Sequence, residues 1–289
     1  MVRRRIILPM LSLLTFIPAC SGPSLVNAFV PRNGYHAARD VAYGQGPRRT
    51  LDLYVPTGAS SDVPLIVFFY GGSWDSGSKN LYRFVGQAFA ARGYATAVPD
   101  YRIYPEVRFP AFVEDGAAAV AWLRQHGEAY GVGSGPIYLV GHSAGAYIAA
   151  MLALDERWLA GAGVERCNTI KAAVGLSGPY DFLPLTSQRL REVFGPEPAG
   201  AGTQPITYVD GRAPPMLLAA GTGDTTVRPE NTLRLAARIR AAGGTVEERM
   251  YEDVSHVGMI ARLAPVVRRF SPLLDEIDRF LQRHADSGC

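Results

Sequence analysis

Short, fully apolar segments alternate with longer segments of helical length along most of this chain, and this alternation restricts its fold more than any other feature. The apolar segments are residues 65–70, 95–98, 137–140, 172–176 and 216–220, and the helical patterns include 81–92, 112–130, 144–154 and 230–242. Strands that are apolar on both faces are typical of parallel sheets covered by helices on each side. The sequence therefore predicts an α/β fold with a mostly parallel, doubly wound sheet.

Two other segments complete the predicted sheet. Residues 245–251 have a strand-like composition, and residues 49–55 alternate between apolar and polar side chains. Strict alternation is typical of a half-exposed strand, so 49–55 is predicted as an antiparallel edge strand. No internal repeat or low-complexity tract divides the chain, and we expect a single folded domain over residues 41–289, after an N-terminal segment of residues 20–40.

The first 19 residues have the pattern of a secretory signal peptide. Arg3, Arg4 and Arg5 precede an apolar run over residues 6–17, which is too short for a membrane-spanning helix of about 20 residues. The tetrapeptide that ends in Cys20 resembles a bacterial lipoprotein signal, although Pro18 departs from the small residue usual there. The small-residue pattern that ends at Ala28 offers a second cleavage site. We expect export, either to a bacterial periplasm or as a lipoprotein anchored to the membrane through lipidated Cys20, and otherwise secretion.

Charge and cysteine content exclude two classes of protein. The chain has 29 basic and 26 acidic residues, and loss of the first 19 residues removes only basic ones, which leaves the two signs equal. Without excess positive charge there is nothing to neutralise phosphates, so we expect no nucleic-acid partner. Three cysteines are too few for a disulfide scaffold, but Cys167 and Cys289 could pair after export.

The segment 141–145 reads Gly-His-Ser-Ala-Gly and matches the G-x-S-x-G pattern of a nucleophilic serine. It follows an apolar strand and precedes a stretch rich in helix formers, which is the strand–turn–helix setting that this motif requires. Small residues at both ends of the motif let neighbouring backbone approach the strained turn. Ser143 is therefore the predicted nucleophile.

A second glycine pair follows the apolar segment 65–70. Gly71 and Gly72 can direct their backbone N–H groups toward one point, and the N–H of Ala144 lies beside the predicted nucleophile. We predict that these three donors form an oxyanion hole. Tyr70 and Ser73 stand where an HGGG-type loop has histidine and glycine, but the backbone donors do not depend on those side chains.

The acid and base that a nucleophilic serine needs are sought after Ser143 in the chain. Asp224 directly follows the apolar segment 216–220, whereas Asp210 and Asp253, the competing acids, follow no buried strand. Only two histidines come after Ser143. His256 lies in a loop beyond the strand-like 245–251, and His284 lies near the chain end, so Asp224 and His256 are predicted to complete a triad.

These motifs together resemble the α/β-hydrolase superfamily over residues 41–289. The sequences at 100–102, 105–106, 109–111 and 114–115 are similar to its esterase/lipase branch. The Gly-Gly-x-Trp loop and residues 177–181 are similar to carboxylesterases of the feruloyl-esterase and kynurenine-formamidase-like group. The resemblance implies a serine hydrolase that cleaves small-molecule carboxylic esters through an acyl-enzyme. Residues Asp100, Arg102, Glu114 and Asp115 are interpreted as structural.

The substrate pocket is predicted beside the triad. Trp74, His142, Val227 and Val257 adjoin the predicted catalytic residues and are its candidate lining. Residues 180–214 have room for a short lid but not for a large cap domain, which favours short or medium acyl chains. No cofactor or metal is expected.

Two other functions use the same residues. An amidase, such as a formamidase, or an exopeptidase needs the same triad, so the triad alone does not separate these enzymes from an esterase. A non-catalytic binding protein on this fold is a remote alternative, since such proteins usually lack a triad member.

Overall fold

The structure is a computed structural model that describes residues 26–27, 29–195 and 200–287. One eight-stranded sheet has the order β1-β2-β4-β3-β5-β6-β7-β8. The strands are β1 (Tyr35–Ala42), β2 (Thr50–Pro56), β3 (Leu65–Phe69), β4 (Ala95–Pro99), β5 (Ile137–His142), β6 (Ile170–Leu176), β7 (Met216–Gly221) and β8 (Val246–Tyr251). Strands β3 to β8 are parallel, while β1 and β2 pair antiparallel. The predicted α/β fold is confirmed.

Helices connect the parallel strands. They are α1 (Arg83–Ala90), α2 (Ala111–His126), α3 (Ala144–Leu154), α4 (Glu156–Gly161), α5 (Arg166–Thr169), α6 (Gln188–Phe194), α7 (Glu230–Ala241), α8 (His256–Ala261) and α9 (Leu273–Arg283). The crossover from β3 to β4 moves in the opposite direction along the sheet from the later crossovers. Right-handed connections therefore place α1 on one face and α2, α3 and α7 on the other. Every residue of α3 is buried, because this helix lies directly on the central strands.

The antiparallel side of the sheet differs from the sequence-based prediction in one respect. Strand β2 is antiparallel as expected, but β1 pairs with its outer side, so β2 is not an edge strand. Strand β1 also crosses the boundary expected between residues 40 and 41. Its residues are mostly exposed or half-buried, and it lacks the apolar pattern by which the other strands were found.

Several expectations concern residues outside the described part of the chain. The predicted signal peptide and the cleavage sites at Cys20 and Ala28 all lie there. Cys167 is disulfide-bonded, and the other two cysteines of the chain, Cys20 and Cys289, are not among the described residues. Over 26–27, 29–195 and 200–287, no helix combines the length and the apolar character needed to cross a bilayer.

Candidate active site

Ser143 occupies a strained turn between β5 and α3. Its backbone has φ 55° and ψ −124°, a conformation that places its side chain above the end of the sheet. The turn depends on its flanking glycines. A Cβ atom at Gly145 would lie 2.0 Å from the Phe69 carbonyl oxygen, and one at Gly141 would lie 2.2 Å from the Gly145 carbonyl oxygen. Only glycine allows such close backbone contacts, which explains the G-x-S-x-G spacing.

Ser143, His256 and Asp224 form one hydrogen-bonded line. The Nε2 atom of His256 lies 2.8 Å from Ser143 Oγ, and its Nδ1 atom lies 2.7 Å from Asp224 Oδ2. The three residues follow β5, β7 and β8, whose carboxyl ends meet at the same edge of the sheet. A neutral imidazole held in this way presents a lone pair to the serine hydroxyl, so the arrangement can take the Ser143 proton.

The buried Asp224 carboxylate is fixed on its other side by the backbone. Its Oδ1 atom accepts hydrogen bonds from the N–H groups of Thr226 and Val227, both at 2.9 Å. Both oxygens of Asp224 thus have hydrogen-bond partners: Oδ1 bonds to the backbone of its own loop, and Oδ2 bonds to His256. The two competing acids have other surroundings: Asp210 pairs with Arg212 near the surface, and Asp253 is exposed.

The glycine loop after β3 packs directly against the serine turn. A Cβ atom at Gly71 would lie 2.8 Å from Ser143 Cβ, and Gly72 has φ 140°, a value that side chains disfavour. Within the described residues, the N–H groups of Gly72 and Ala144 have no hydrogen-bond partner. The Gly71 N–H instead faces the Tyr82 phenol oxygen and partly offsets the burial that raises the pKa of Tyr82 to about 12. Of the three predicted donors, Gly72 and Ala144 are therefore free to bind an oxyanion, and the prediction for Gly71 is corrected because Tyr82 takes its N–H.

A buried polar network supports this loop from below. The Tyr70 hydroxyl donates to Asp100, and Arg48 donates to the Tyr70 hydroxyl and to the Gly77 carbonyl, both at 3.0 Å. The Tyr101 hydroxyl donates to the Tyr70 carbonyl at 2.7 Å. Tyr70 thus anchors the loop at the position where the HGGG-type sequence has histidine.

A family model matches this fold and this site. The BD-FAE model matches residues 51–239, a range that contains the glycine loop, Ser143 and Asp224. The chain belongs to the BD-FAE family.

Named relatives of this BD-FAE member are hydrolases. A probable isoprenylcysteine alpha-carbonyl methylesterase of Arabidopsis thaliana is 28% identical over 247 residues, which are 78% of this chain and 52% of the relative. The kynurenine formamidase of Salmo salar is 34% identical over 154 residues, 53% of this chain and 49% of the relative. The chain thus spans about half the length of these curated relatives.

A solved structure covers almost the whole domain. Esterase 2 of Thermogutta terrifontis superposes with a TM-score of 0.70 at 26% identity, over 90% of this chain and 98% of that one. The two folds therefore correspond along nearly all of the solved chain and most of this one.

A cavity of about 640 Å³ opens beside Ser143. Trp74 forms one wall and packs against Phe112, Tyr147, Phe182 and Phe194. The segment from residue 181 into α6 also lines this cavity, and we call residues 181–190 the lid. An apolar wall beside the nucleophile can hold an acyl chain.

Two of the four pocket candidates line this cavity and two do not. Trp74 and Val227 are among its walls, whereas Val257 points into solvent. His142 is buried under the loop of His256, with its Nε2 atom 3.1 Å from the His256 carbonyl oxygen. Burial, and then the neighbouring His256 ring, lower the pKa of His142 to about 3. The prediction that His142 and Val257 line the substrate pocket is therefore wrong. The serine turn directs His142 inward, and α8 directs Val257 outward.

Sequence reasoning missed several polar residues of the cavity. Asn231 accepts hydrogen bonds from the N–H groups of Tyr180 and Asp181, both at 3.0 Å, and so ties the lid to α7. Arg189, Arg228 and Arg234 also line the cavity. No local pattern distinguishes these side chains from ordinary surface residues, since only the path of the lid brings them to the site.

Acid–arginine pairs elsewhere have the structural role expected of them. The Arg102 guanidinium donates to both oxygens of buried Asp115, and Arg49 approaches the same carboxylate at 3.2 Å. Asp100 accepts from the Lys79 backbone N–H at 2.8 Å. In the described ranges no group of three or more His, Cys, Asp or Glu side chains could hold a metal ion.

Proposed function

We propose that this chain is a serine hydrolase that cleaves carboxylic esters with short or medium acyl chains. The observation that carries the proposal is the hydrogen-bonded line from Asp224 through His256 to Ser143. The family and its named esterase relatives support ester hydrolysis as the reaction.

The proposed reaction has two steps. His256 Nε2 takes the Ser143 proton while Oγ attacks the ester carbonyl, and the N–H groups of Gly72 and Ala144 stabilise the oxyanion. The tetrahedral intermediate expels the alcohol, which receives the proton from His256. A water molecule, deprotonated by His256, then attacks the acyl-enzyme, and departure of the carboxylic acid returns the proton to Ser143.

A panel of p-nitrophenyl esters of increasing acyl length tests the proposal. We expect the butyrate to be cleaved faster than the palmitate, because the acyl chain has to fit between the aromatic wall and the lid in a cavity of about 640 Å³. Ser143→Ala should abolish turnover and labelling by a fluorophosphonate. Ser60→Ala, which changes an exposed serine distant from Ser143 in the sequence, should change neither. An unlabelled wild-type protein would instead support the non-catalytic binding function.

Amide hydrolysis is the second candidate, and the similarity to kynurenine formamidase favours it. The two reactions differ at the leaving group, since an amine must be protonated before it departs whereas an alcohol is a better leaving group. Matched esters and amides with the same acyl portion, assayed on one preparation, separate them. A higher kcat/KM on the amides would replace the esterase proposal.

We further propose that the chain is exported and tethered through lipidated Cys20. The Arg3–Arg5 cluster with the apolar run after it supports export, and the disulfide at Cys167 suits an oxidising compartment. Metabolic labelling with a fatty acid, compared between wild type and Cys20→Ala, tests the tether. Release of unlabelled wild-type protein into the soluble fraction would favour cleavage at Ala28.

A further inference from the structure

A short segment between α8 and α9 exposes apolar side chains to solvent. Val266, Val267 and Phe270 are 59%, 38% and 79% exposed, and they account for three of the eight large hydrophobic side chains that are exposed in the described residues. Single exposed apolar residues are ordinary, but three within five consecutive positions form a patch. We call residues 266–270 the 266–270 surface.

The same segment has two positive charges without carboxylate partners in the described chain. The Arg268 guanidinium donates to the Gln87 side-chain oxygen at 2.9 Å, and the Arg269 guanidinium lies 6.0 Å from the centre of the Phe270 ring. A cavity of about 740 Å³ opens beside them, and Arg92 and Asp275, which also line it, pair with each other. Apolar side chains next to uncompensated cations are the chemistry of surfaces that bind anionic bilayers.

The N-terminal segment docks close to this surface. The Arg83 guanidinium donates to the Asn27 carbonyl, and Asn27 Oδ1 accepts from the Phe84 N–H at 3.2 Å. Arg83 and Gln87 are four residues apart on α1, so Asn27 and Arg268 contact the same face of this helix. Four helical residues span about 6 Å along the axis.

The reach of the chain before Asn27 connects this surface to the proposed tether. Six residues lie between Cys20 and Asn27, and the seven residue-to-residue steps that join them span at most about 25 Å when extended. A lipid on Cys20 would therefore hold the bilayer within reach of the 266–270 surface. We propose that the 266–270 surface rests on an anionic lipid bilayer, with Phe270 and Val266 in the interface and Arg269 against the headgroups.

This inference does not depend on the hydrolase activity. It rests on the proposed tether only for the choice of a lipid bilayer as the binding partner. The test uses residues 20–289 with Cys20→Ser, so that neither a lipid nor the apolar run over residues 6–17 contributes. Co-sedimentation is measured with vesicles of phosphatidylcholine alone and of phosphatidylcholine mixed with phosphatidylglycerol. We expect binding to the anionic vesicles that falls as salt is raised.

The decisive variant is Val266→Ser/Arg269→Gln/Phe270→Ser. Each basic residue at an anionic surface contributes about fivefold to binding, so with the two apolar losses we expect a decrease of at least about tenfold. The matched control is Leu233→Ser/Arg238→Gln on α7, which also removes exposed apolar and basic side chains but should leave vesicle binding unchanged. Thermal unfolding establishes that both variants fold.

Three outcomes would overturn the proposal. The first is equal binding of the triple variant and its parent, and the second is equal or absent binding on neutral and anionic vesicles. The third is a concentration-dependent dimer, seen by sedimentation velocity without vesicles and lost in the triple variant. That result would assign the 266–270 surface to a second copy of this chain.

Discussion

The substitution Asp224→Asn tests the triad through its proton positions rather than its shape. Asp224 Oδ1 accepts from two backbone N–H groups at 2.9 Å, so the oxygen of an asparagine must stay on that side. Its NH₂ group then takes the place of Asp224 Oδ2, which lies 2.7 Å from His256 Nδ1. Two donors cannot share that contact, and His256 has to move its proton to Nε2. The imidazole then points a proton, and no lone pair, at Ser143.

The expected loss is large because the base is removed without any movement of its ring. The same change in the triad of serine proteases lowers kcat about 10⁴-fold, which corresponds to about 5 kcal/mol of transition-state stabilisation. We expect a similar fall in kcat/KM for p-nitrophenyl butyrate and in the rate of fluorophosphonate labelling. Stability should change far less, because the backbone hydrogen bonds are kept, and ¹⁵N shifts of His256 should report the Nε2–H tautomer.

Asp253→Asn is the matched control, since it makes the same substitution at an exposed acid in the same region of the sheet edge. It should leave kcat/KM unchanged. A fall of less than tenfold in Asp224→Asn, or a comparable fall in Asp253→Asn, would refute the assignment of the acid.

Three further predictions concern packing, pH and the disulfide. In Gly145→Ala the new methyl group meets the backbone of β3, so we expect about 2 kcal/mol lower stability and about 100-fold lower kcat. Gly161→Ala is the control, because its Cβ meets nothing within 4 Å. It should lower neither the stability in a denaturation assay nor kcat in an ester assay. The pKa of His142 is about 3 in the folded chain and about 6.5 when unfolded. The unfolded state therefore binds the extra proton, and acidification from about pH 7 to pH 5 should cost about 2 kcal/mol in urea unfolding. His142→Gln should lack this loss, and an unchanged pH dependence would contradict the burial of a neutral ring. Cys167→Ser should cost about 2–4 kcal/mol, and Cys289→Ser should match it if these two cysteines pair, as peptide mapping under non-reducing conditions would show.

The parallel strands and the positions of the reactive residues could be predicted because both depend on local pattern. A fully apolar segment of strand length has few alternatives to a buried strand, and the carboxyl ends of parallel strands meet at one edge of the sheet. Ser143 and Asp224 each follow such a strand, and His256 follows β8, which was predicted from its strand-like composition. Their spacing in the sequence therefore gave their proximity in space.

Strand β1 and the cavity could not be predicted in the same way. Strand β1 has no apolar period, and its conformation follows from pairing with β2, with a register shift between Ala38 and Val41. In the sequence, the arginines of the cavity look like ordinary polar surface residues, and only the position of the lid places them beside the site. His142 is similar, because the oxygen that its ring contacts belongs to a residue 114 positions further along the chain. Such long-range contacts leave no local signal.

The tyrosines beneath the glycine loop bear on how the molecule behaves in alkali. Tyr82, Tyr70 and Tyr101 stack on one another, with ring centres 5.3 Å and 4.9 Å apart. Burial raises the pKa of all three well above the ordinary value for tyrosine. Tyr82 ionises near its pKa of about 12, but Tyr70 and Tyr101 keep their protons until the fold opens, so the ultraviolet ionisation signal of these two should be silent in the native protein and appear with unfolding. The absorbance of the tyrosines beneath the glycine loop therefore reports when this part of the fold opens. Loss of activity at high pH would accompany denaturation rather than titration of the loop.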